Sequence, residues 1–564
     1  MKTLFFSLLF FLFSASGFAQ NTADDWWKKT TVYQIYPRSF YDTNADGIGD
    51  LEGIIQKLDY IQQLGFESIW ISPFTQSPQR DFGYDISDYT AIDSVYGDTV
   101  TFKRLVEEIH RRGMHLIFDM VMNHTSDQHA WFKESSSSKE NPKADWYIWK
   151  DGHGKDGLKR PNNWRSMVGD RAWQYHPARH QFYYHGFLPF QPDLNYNNAE
   201  VKKAMFEIVR FWLDKGVDGF RLDIISAIHE DSTLKNNPPS AKLLPSDSKL
   251  TIFFQYAKNN FLQEQSFGFA TELRQVINEY QSPTRVLIGE SHGEESLIKN
   301  FCKKDGKDGL HGVFLFKAIS EKFDARKYAK MLAGFNHEFA DPLIPTLVFG
   351  NHDRTRSIDR VNGSVAKAKL KALVQLTARG IPFVYNGEEL GIPNVRIPLK
   401  EGKDAVAIAN SKVPQFLADL SPETLNRDEC RTPMLWSDQA NAGFCDSLAQ
   451  PWLPIVSTYK TINVANQLQD STSLLNTYRK LLTLRKSIPA LNSGSFTLKK
   501  DFNDKNILAY ERTDGEASYL VLLNMSKKVK EIEPINGTTI FTTHSDSSTQ
   551  QLQPYEGRIF QLEN

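Results

Sequence analysis

Residues 219–223 read Gly-Phe-Arg-Leu-Asp (GFRLD). An apolar stretch that ends in an acid describes a buried strand delivering a charge at its end. Arg221 and Asp223 lie two apart, so both side chains leave such a strand on one face. Three more segments repeat the theme: Asp119 to His124 (DMVMNH), Gly289-Glu290 closing the apolar run from Val286, and Asn351 to Asp353 (NHD). Acids placed repeatedly just past buried strands are poor for stability and natural for chemistry.

Around these segments, from about Thr31, strand and helix signals alternate, the mark of a parallel α/β architecture. The strand candidates are Val32–Tyr36, Ser68–Ser72, Leu116–Val121, Gly219–Ile224, Val286–Glu290, Val313–Phe316, Leu347–Gly350 and Pro382–Tyr385. Helical patterns such as Leu51–Leu64 and Thr101–Arg112 separate most of them. Eight such units predict a (β/α)8 TIM barrel, with catalytic groups at strand C-terminal ends. Two connections are too long for simple loops. Residues 125–196 read as an inserted subdomain over the barrel mouth, and about 391–453 as a second insertion. The barrel then occupies 25–124 and 197–492. From 493 to 564, short alternating strands (Ser495–Leu498, Ile507–Arg512, Tyr519–Asn524, Thr539–Thr543, Arg558–Leu562) predict an antiparallel β-sandwich domain. No internal repeat is evident, and Ser135–Ser138 reads as an exposed loop.

At 564 residues the chain can bury a large core, and its net charge of −1 argues against nucleic acid as a partner. Aromatic residues make up 12%; most belong in the core, and the rest are available as flat stacking platforms. Lys2, the apolar run Leu4 to Phe13 and the small residues Gly17 and Ala19 have the form of a signal peptide over 1–19. That run is too short for a comfortable membrane span, and no cysteine follows it for a lipid anchor. The mature chain is expected to start near Gln20 or Asn21, exported to the periplasm or beyond, and to be a monomer. Of the three cysteines, Cys430 and Cys445 are near enough in sequence for a disulfide; reduced, packed thiols are the alternative.

Cleaving a glycosidic bond needs one carboxylate as nucleophile or base and another as acid, flanking that bond. Arg221 beside Asp223 is expected to lower its pKa, which suits a nucleophile. Glu290, ending an apolar run near other acids, is expected to hold a proton and act as acid/base. That pairing gives a retaining double displacement. Asp353 supplies a third carboxylate to bind hydroxyls and steady a cationic transition state. His124 and His352 lack metal-ligand spacing and read as hydrogen-bond partners of sugar hydroxyls. Asp42 to Asp50 (DTNADGIGD) is a candidate cation loop: Asp42, Asn44 and Asp46 alternate, Ile48 offers its carbonyl and Asp50 follows. Gly53 stands where an EF-hand needs its bidentate Glu, so the loop is not an EF-hand.

In these segments the chain resembles glycoside hydrolase family 13, the α-amylase superfamily. The four motifs occur in the family's order, with Asp119 and His124, Arg221 and Asp223, Glu290, then His352 and Asp353. Gly65 to Pro73 (GFESIWISP), Gln191 to Asn195 (QPDLN) and Gly380 to Gly391 (GIPFVYNGEELG) are also family-like, and the likeness spans essentially the whole mature chain. QPDLN, Asp81 to Tyr89 (DFGYDISDY) and Asn426 to Trp436 (NRDECRTPMLW) resemble the oligo-1,6-glucosidase and α-glucosidase branch. The resemblance implies that Asp81 and Arg431 clamp the terminal glucose while Tyr84 stacks on it. Arg427 is expected only to bridge loop charges. A pocket closed by such a clamp admits chain ends, so the implied substrate is a small oligosaccharide attacked in exo fashion. The resemblance also implies one structural Ca²⁺ in the Asp42–Asp50 loop. After the nucleophile, valine accompanies α-1,6 activity in this branch and threonine or alanine α-1,4. Ile224 matches neither, and as a β-branched apolar residue it leans toward α-1,6. Gln174–Phe190 departs from the branch's usual pattern. A transglycosylase or isomerase of the sucrose isomerase or trehalose synthase type, and an α-1,4-preferring maltase, share nearly all these motifs. A catalytically silent binding relative would lack an acid, and none is missing.

Overall fold

A computed structural model describes residues 25–242, 250–419, 425–499, 506–545 and 550–563. The expected signal peptide lies outside them. Eight parallel strands form one sheet: β1 (Val32–Ile35), β2 (Ser68–Ile71), β3 (His115–Met120), β4 (Gly219–Leu222), β5 (Val286–Gly289), β6 (Gly312–Val313), β7 (Thr346–Val348) and β8 (Ile381–Tyr385). Their spatial order is β6-β5-β4-β3-β2-β1-β8-β7, that of a barrel nearly closed on itself. The strands are buried on both faces because helices cover the outside. Val32, Trp70, Ile117, Val286, Ile288, Val348 and Phe383 pack in one cluster, and Tyr33, Ile69, Leu116, Phe118 and Phe220 join the larger core with the helices.

The covering helices form for local reasons. In Leu51–Leu64, Leu51, Ile54, Leu58 and Ile61 recur at helical spacing and are buried. Asp50 caps that helix by accepting from Gly53 N at 2.7 Å. Asp98, Asn198, Ser364 and Ser473 cap four others in the same way.

The sixth strand departs from expectation. It is Gly312–Val313, not Val313–Phe316, because Leu315 and Phe316 turn into the helix Lys317–Ser320. No backbone ladder joins β6 to β7 among the described residues. Instead the Thr346 hydroxyl donates to Val313 O at 2.8 Å and accepts from Leu315 N at 3.1 Å. The fourth strand likewise ends at Leu222, short of the expected Ile224, which adopts φ 36° and ψ 47°.

Between β3 and the helix Ala199–Asp214, the chain builds the helix Ala130–Ser137 and a three-stranded sheet of Trp149–Lys150, Gln181–Tyr184 and Trp173–His176. After β8, residues 391–419 and 425–453 contain only short helical turns. A five-stranded antiparallel sheet follows, β9 (Ser495–Leu498), β10 (Ile507–Thr513), β11 (Ser518–Asn524), β12 (Gly537–Thr542) and β13 (Gly557–Leu562), in the order β9-β10-β11-β13-β12. One face shares the barrel's core through Leu508, Tyr510, Val521 and Ile559. Buried Arg512 fastens it by donating to Leu491 O at 2.9 Å and Gly494 O at 2.8 Å.

The three cysteines are free and buried. The suggested Cys430–Cys445 disulfide does not form, because the Cys430 thiol points inward, 3.1 Å from Arg427 O and 3.2 Å from His352 O. No helix among the described residues is long and apolar enough to cross a membrane.

Thr346→Val keeps the side-chain shape and removes both seam hydrogen bonds. It leaves the Leu315 N–H without its partner, so a stability loss of about 1–3 kcal/mol is expected. Thermal unfolding reads this as a lowered midpoint. An unchanged midpoint would mean that packing alone closes the barrel.

Candidate active site

Arg221 is the hub at the C-terminal end of the barrel. It sits opposite Asp119 in the β3–β4 register and opposite Ile288 in the β4–β5 register. Its Nη1 donates to Asp119 Oδ1 at 2.7 Å and to Asp223 Oδ1 at 2.8 Å, and its Nη2 donates to Glu290 Oε2. Three carboxylates from three adjacent strands thus share one buried guanidinium. Trp70 Nε1 and the Tyr84 hydroxyl donate to the other Asp119 oxygen at 3.0 and 3.1 Å, which makes Asp119 a fixed support rather than a free acid.

The sharing changes the electrostatics expected for Asp223. Burial raises its carboxyl well above the usual range; Arg221 opposes this, and the nearby Glu290 and Asp119 reinforce it. Arg221 does lower the Asp223 carboxyl as expected, but the net shift is upward because burial outweighs it, with Glu290 and Asp119 adding to the rise.

Asp353 behaves oppositely. Burial alone would raise its carboxyl, yet His352, Arg427 and Arg431 hold it well below the carboxylate range. Burial also pushes His352 down to about 3, so at neutral pH the imidazole is uncharged and the two guanidiniums carry the effect. Gln34 Nε2 lies 2.7 Å from His352 Nδ1, and the Tyr84 hydroxyl 2.7 Å from Nε2. With Gln34 donating, Nδ1 accepts and Nε2 carries the hydrogen, facing Tyr84 and, at 3.2 Å, Asp353. Tyr84 stacks on His352 with ring centroids 5.4 Å apart. Burial lowers His124 to about 4, and its Nε2 lies 3.2 Å from Tyr84 O.

The clamp differs from the one implied by the resemblance. Asp81 Oδ1 accepts from Arg427 Nη2 at 2.6 Å, and Asp81 Oδ2 from Gln191 Nε2 at 3.0 Å. Arg431 instead donates from Nε to His352 O at 2.9 Å and from Nη2 to Asp353 Oδ1 at 2.8 Å. The cause is local: Arg427–Cys430 is a 3-10 turn. With three residues per turn, side chains four apart point in different directions. Arg427 also donates to Asp404, from Nε to both oxygens at 3.0 Å and from Nη2 to Oδ1 at 2.6 Å, and reaches Asp353 at 3.2 Å. Sequence reasoning missed Asp404, which sits in the second insertion with no motif around it. Its only signal is an acid within a segment that must pack beside two arginines.

The Asp42–Asp50 loop lies apart from this cluster. Asp42 accepts from Asn44 N, Ala45 N and Gly47 N at 2.8–2.9 Å; Asn44 Oδ1 accepts from Asp46 N at 3.0 Å, and Asp46 Oδ1 from Ile48 N at 2.8 Å. Asp50 accepts from Thr43 N at 2.9 Å besides capping its helix. Burial, with help from Asp42, raises the Asp50 carboxyl. Among the described residues no three His, Cys, Asp or Glu side chains gather as a metal site. The five candidate donors, three aspartates, one amide and one backbone carbonyl, are all oxygens, the type a hard cation takes.

A barrel whose strand ends carry these acids on one arginine defines a carbohydrate-cleaving site. The chain belongs to the alpha-amylase family: the catalytic-domain model of that family matches residues 34–494, and the protein is a glycoside hydrolase of that family. It is 38% identical to an oligo-1,6-glucosidase of Parageobacillus thermoglucosidasius, over 95% of this chain and 99% of the relative. Among solved structures, the alpha-glucosyl transfer enzyme XgtA superposes with a TM-score of 0.86 at 36% identity, covering 95% of this chain and 99% of the other. An isomaltulose synthase mutant from Erwinia rhapontici, in complex with sucrose, superposes with a TM-score of 0.84 at 33% identity, covering 96% and 99%.

Asp404→Asn weakens the grip on Arg427 without changing size. Misplacing a clamp by about 1 Å costs on the order of 10²-fold in rate, so kcat/KM on the best glycoside substrate is expected to fall roughly 10- to 100-fold. Retention of wild-type kcat/KM would show that Asp81 and Asp353 alone aim Arg427.

Proposed function

We propose that this chain is an exo-acting retaining α-glucosidase that releases terminal α-linked glucose from short oligosaccharides, leaning toward α-1,6 links. The observation that carries the reading is the bridging of Asp223 and Glu290 by Arg221. Two carboxyls accepting from the two terminal nitrogens of one guanidinium are held near each other. That matches the short separation of retaining enzymes and not the wider gap of inverting ones.

In this reading Asp223 attacks the anomeric carbon as Glu290 protonates the leaving oxygen. Water, deprotonated by Glu290, then cleaves the glycosyl-enzyme. The first step requires Asp223 as the anion and the proton on Glu290. Binding of a positively charging sugar carbon beside Asp223 favours that, since it stabilises the Asp223 anion. Asp353, kept ionised by two arginines, steadies the cationic transition state. Tyr84, His124 and His352 bind the terminal glucose, and Asp81 with Arg427 closes the pocket behind it, which makes the action exo. Asp223→Asn and Glu290→Gln are each expected to lower kcat by on the order of 10⁴ with folding intact. Near-normal rates for Asp223→Asn would remove the nucleophile assignment.

Linkage preference rests on Ile224. Its left-handed backbone sets the side chain beside Asp223, against the cluster of Ala227, Ile252 and Phe261. An α-1,6 link has an extra rotatable bond and can swing the leaving sugar past this wall; an α-1,4 link is stiffer. One side chain discriminates by only about 1–3 kcal/mol, so kcat/KM is expected to favour isomaltose over maltose without excluding it. Ile224→Thr should shift the balance toward maltose. A wild-type preference for maltose would assign the choice to other residues. The likeness to the isomaltulose synthase supports a second reading, transfer or isomerisation of sucrose. Product analysis after incubation with sucrose separates it from hydrolysis.

One Ca²⁺ in the loop Asp42, Asn44, Asp46, Ile48 and Asp50 belongs to the same proposal, as a structural ion. The loop holds the second insertion: Asp42 N donates to Phe444 O and Trp452 N to Gly47 O, both at 2.9 Å. Lys403, beside Asp404, donates to Trp452 O at 2.5 Å. Chelation is therefore expected to lower the melting temperature and added calcium to restore it. Unchanged melting with chelator, and no calcium by elemental analysis, would remove the site. Export, likewise proposed, is checked by N-terminal sequencing of the mature protein.

A further inference from the structure

The excursion after β4 folds back as a small hairpin, Thr251–Ile252 pairing with Gln255–Tyr256. Its turn residues are Phe253 and Phe254, with φ of 37° and 68°. Two-residue turns with positive φ at both positions favour Asn-Gly. A side chain with a Cβ is strained there, and consecutive phenylalanines are a costly choice. Strain of this kind persists where something other than stability retains it.

Phe253 has a structural explanation. Its ring lies against Gly169 of the inserted subdomain, where a Cβ would come within 2.7–2.9 Å of it. It also joins the apolar cluster of Ala227, Ile252 and Phe261, together with Met167 and Ile224. Gln255 Nε2 donates to Asn163 O at 2.6 Å. The hairpin therefore ties the barrel wall to the subdomain wall and begins one residue-contact away from Asp223. On the subdomain side, Met167 N bonds Gly186 O at 2.9 Å, and the adjacent Phe187 ring lies 5.7 Å from the Arg427 guanidinium. These contacts set the hairpin beside Ile224, next to Asp223 on the side where the leaving sugar passes in the reading above, and against the inserted subdomain.

Phe254 has no such explanation. Its backbone completes the turn, with Phe254 N to Lys242 O at 2.8 Å and Ser240 N to Phe254 O at 2.7 Å. Glycine or asparagine would do the same with less strain. Its ring stands 52% exposed. We propose that Phe254 is an aromatic platform for a sugar ring on the leaving side of the scissile bond, beyond the first leaving unit. The ring offers a flat apolar face to the C–H face of a glucosyl residue, and the occupant is the third unit of a bound α-glucoside. This rests on the α-glucosidase reading above.

The test compares wild type, Phe254→Gly and Phe254→Trp on isomaltose and isomaltotriose, with melting temperature measured alongside. In the glycine variant the ratio of kcat/KM, isomaltotriose over isomaltose, is expected to fall roughly three- to tenfold. Its melting temperature is expected to rise, because glycine accepts positive φ. Phe254→Trp keeps the ratio. An unchanged ratio in Phe254→Gly, with wild type active, overturns the platform alone. So does a drop in melting temperature with equal losses on both substrates, which would make the ring a structural plug. A wild type that frees no glucose from any α-glucoside overturns the reading of the site, and the platform with it.

Discussion

One guanidinium shared by three acids governs this molecule. Arg221 is 1% exposed and bonded to Asp119, Asp223 and Glu290. Removing Arg221 would leave three buried acids without their shared countercharge. The barrel makes the sharing possible, since β3, β4 and β5 are neighbours in the sheet and each carries an acid at or just past its C-terminal end. Burial and the surplus of negative charge together raise the Asp223 carboxyl.

A second charge centre answers the first across the pocket. Arg427 and Arg431 face Asp81, Asp353 and Asp404, and hold Asp353 ionised. The two centres therefore do opposite things to their carboxyls. One keeps a proton available and the other keeps a permanent anion. Tyr84 and neutral His352 stand between them, linking Asp119 on one side to Asp353 on the other.

Much of this was legible in the chain. Apolar runs ending in Asp223, Glu290 and Asp353 announced both the strands and the acids, because a buried parallel strand tolerates a charge only at its end. The second centre was less legible. Asn426 to Trp436 contains two arginines, and nothing in their spacing says which meets Asp81; the 3-10 turn Arg427–Cys430 decides it in favour of Arg427. Asp404 was invisible because its partner is close in space through an irregular insertion that carries no periodicity. The short sixth strand escaped notice because Phe314, Leu315 and Phe316 are as apolar as a strand. Whether they form one depends on the Thr346 hydroxyl, a tertiary contact. The net shift at Asp223 has the opposite sign to the expectation because a sequence displays the neighbouring Arg221 but neither the depth of burial nor the acids gathered around it.

The central claim is that Asp223 and Glu290, bridged by Arg221, carry out two successive displacements at one carbon. Proton NMR of the first glucose released from an α-glucoside, recorded before mutarotation, tests it directly. The account predicts α-glucose as the initial product. β-Glucose would contradict it, because a product of inverted configuration requires a single displacement by water rather than two successive ones.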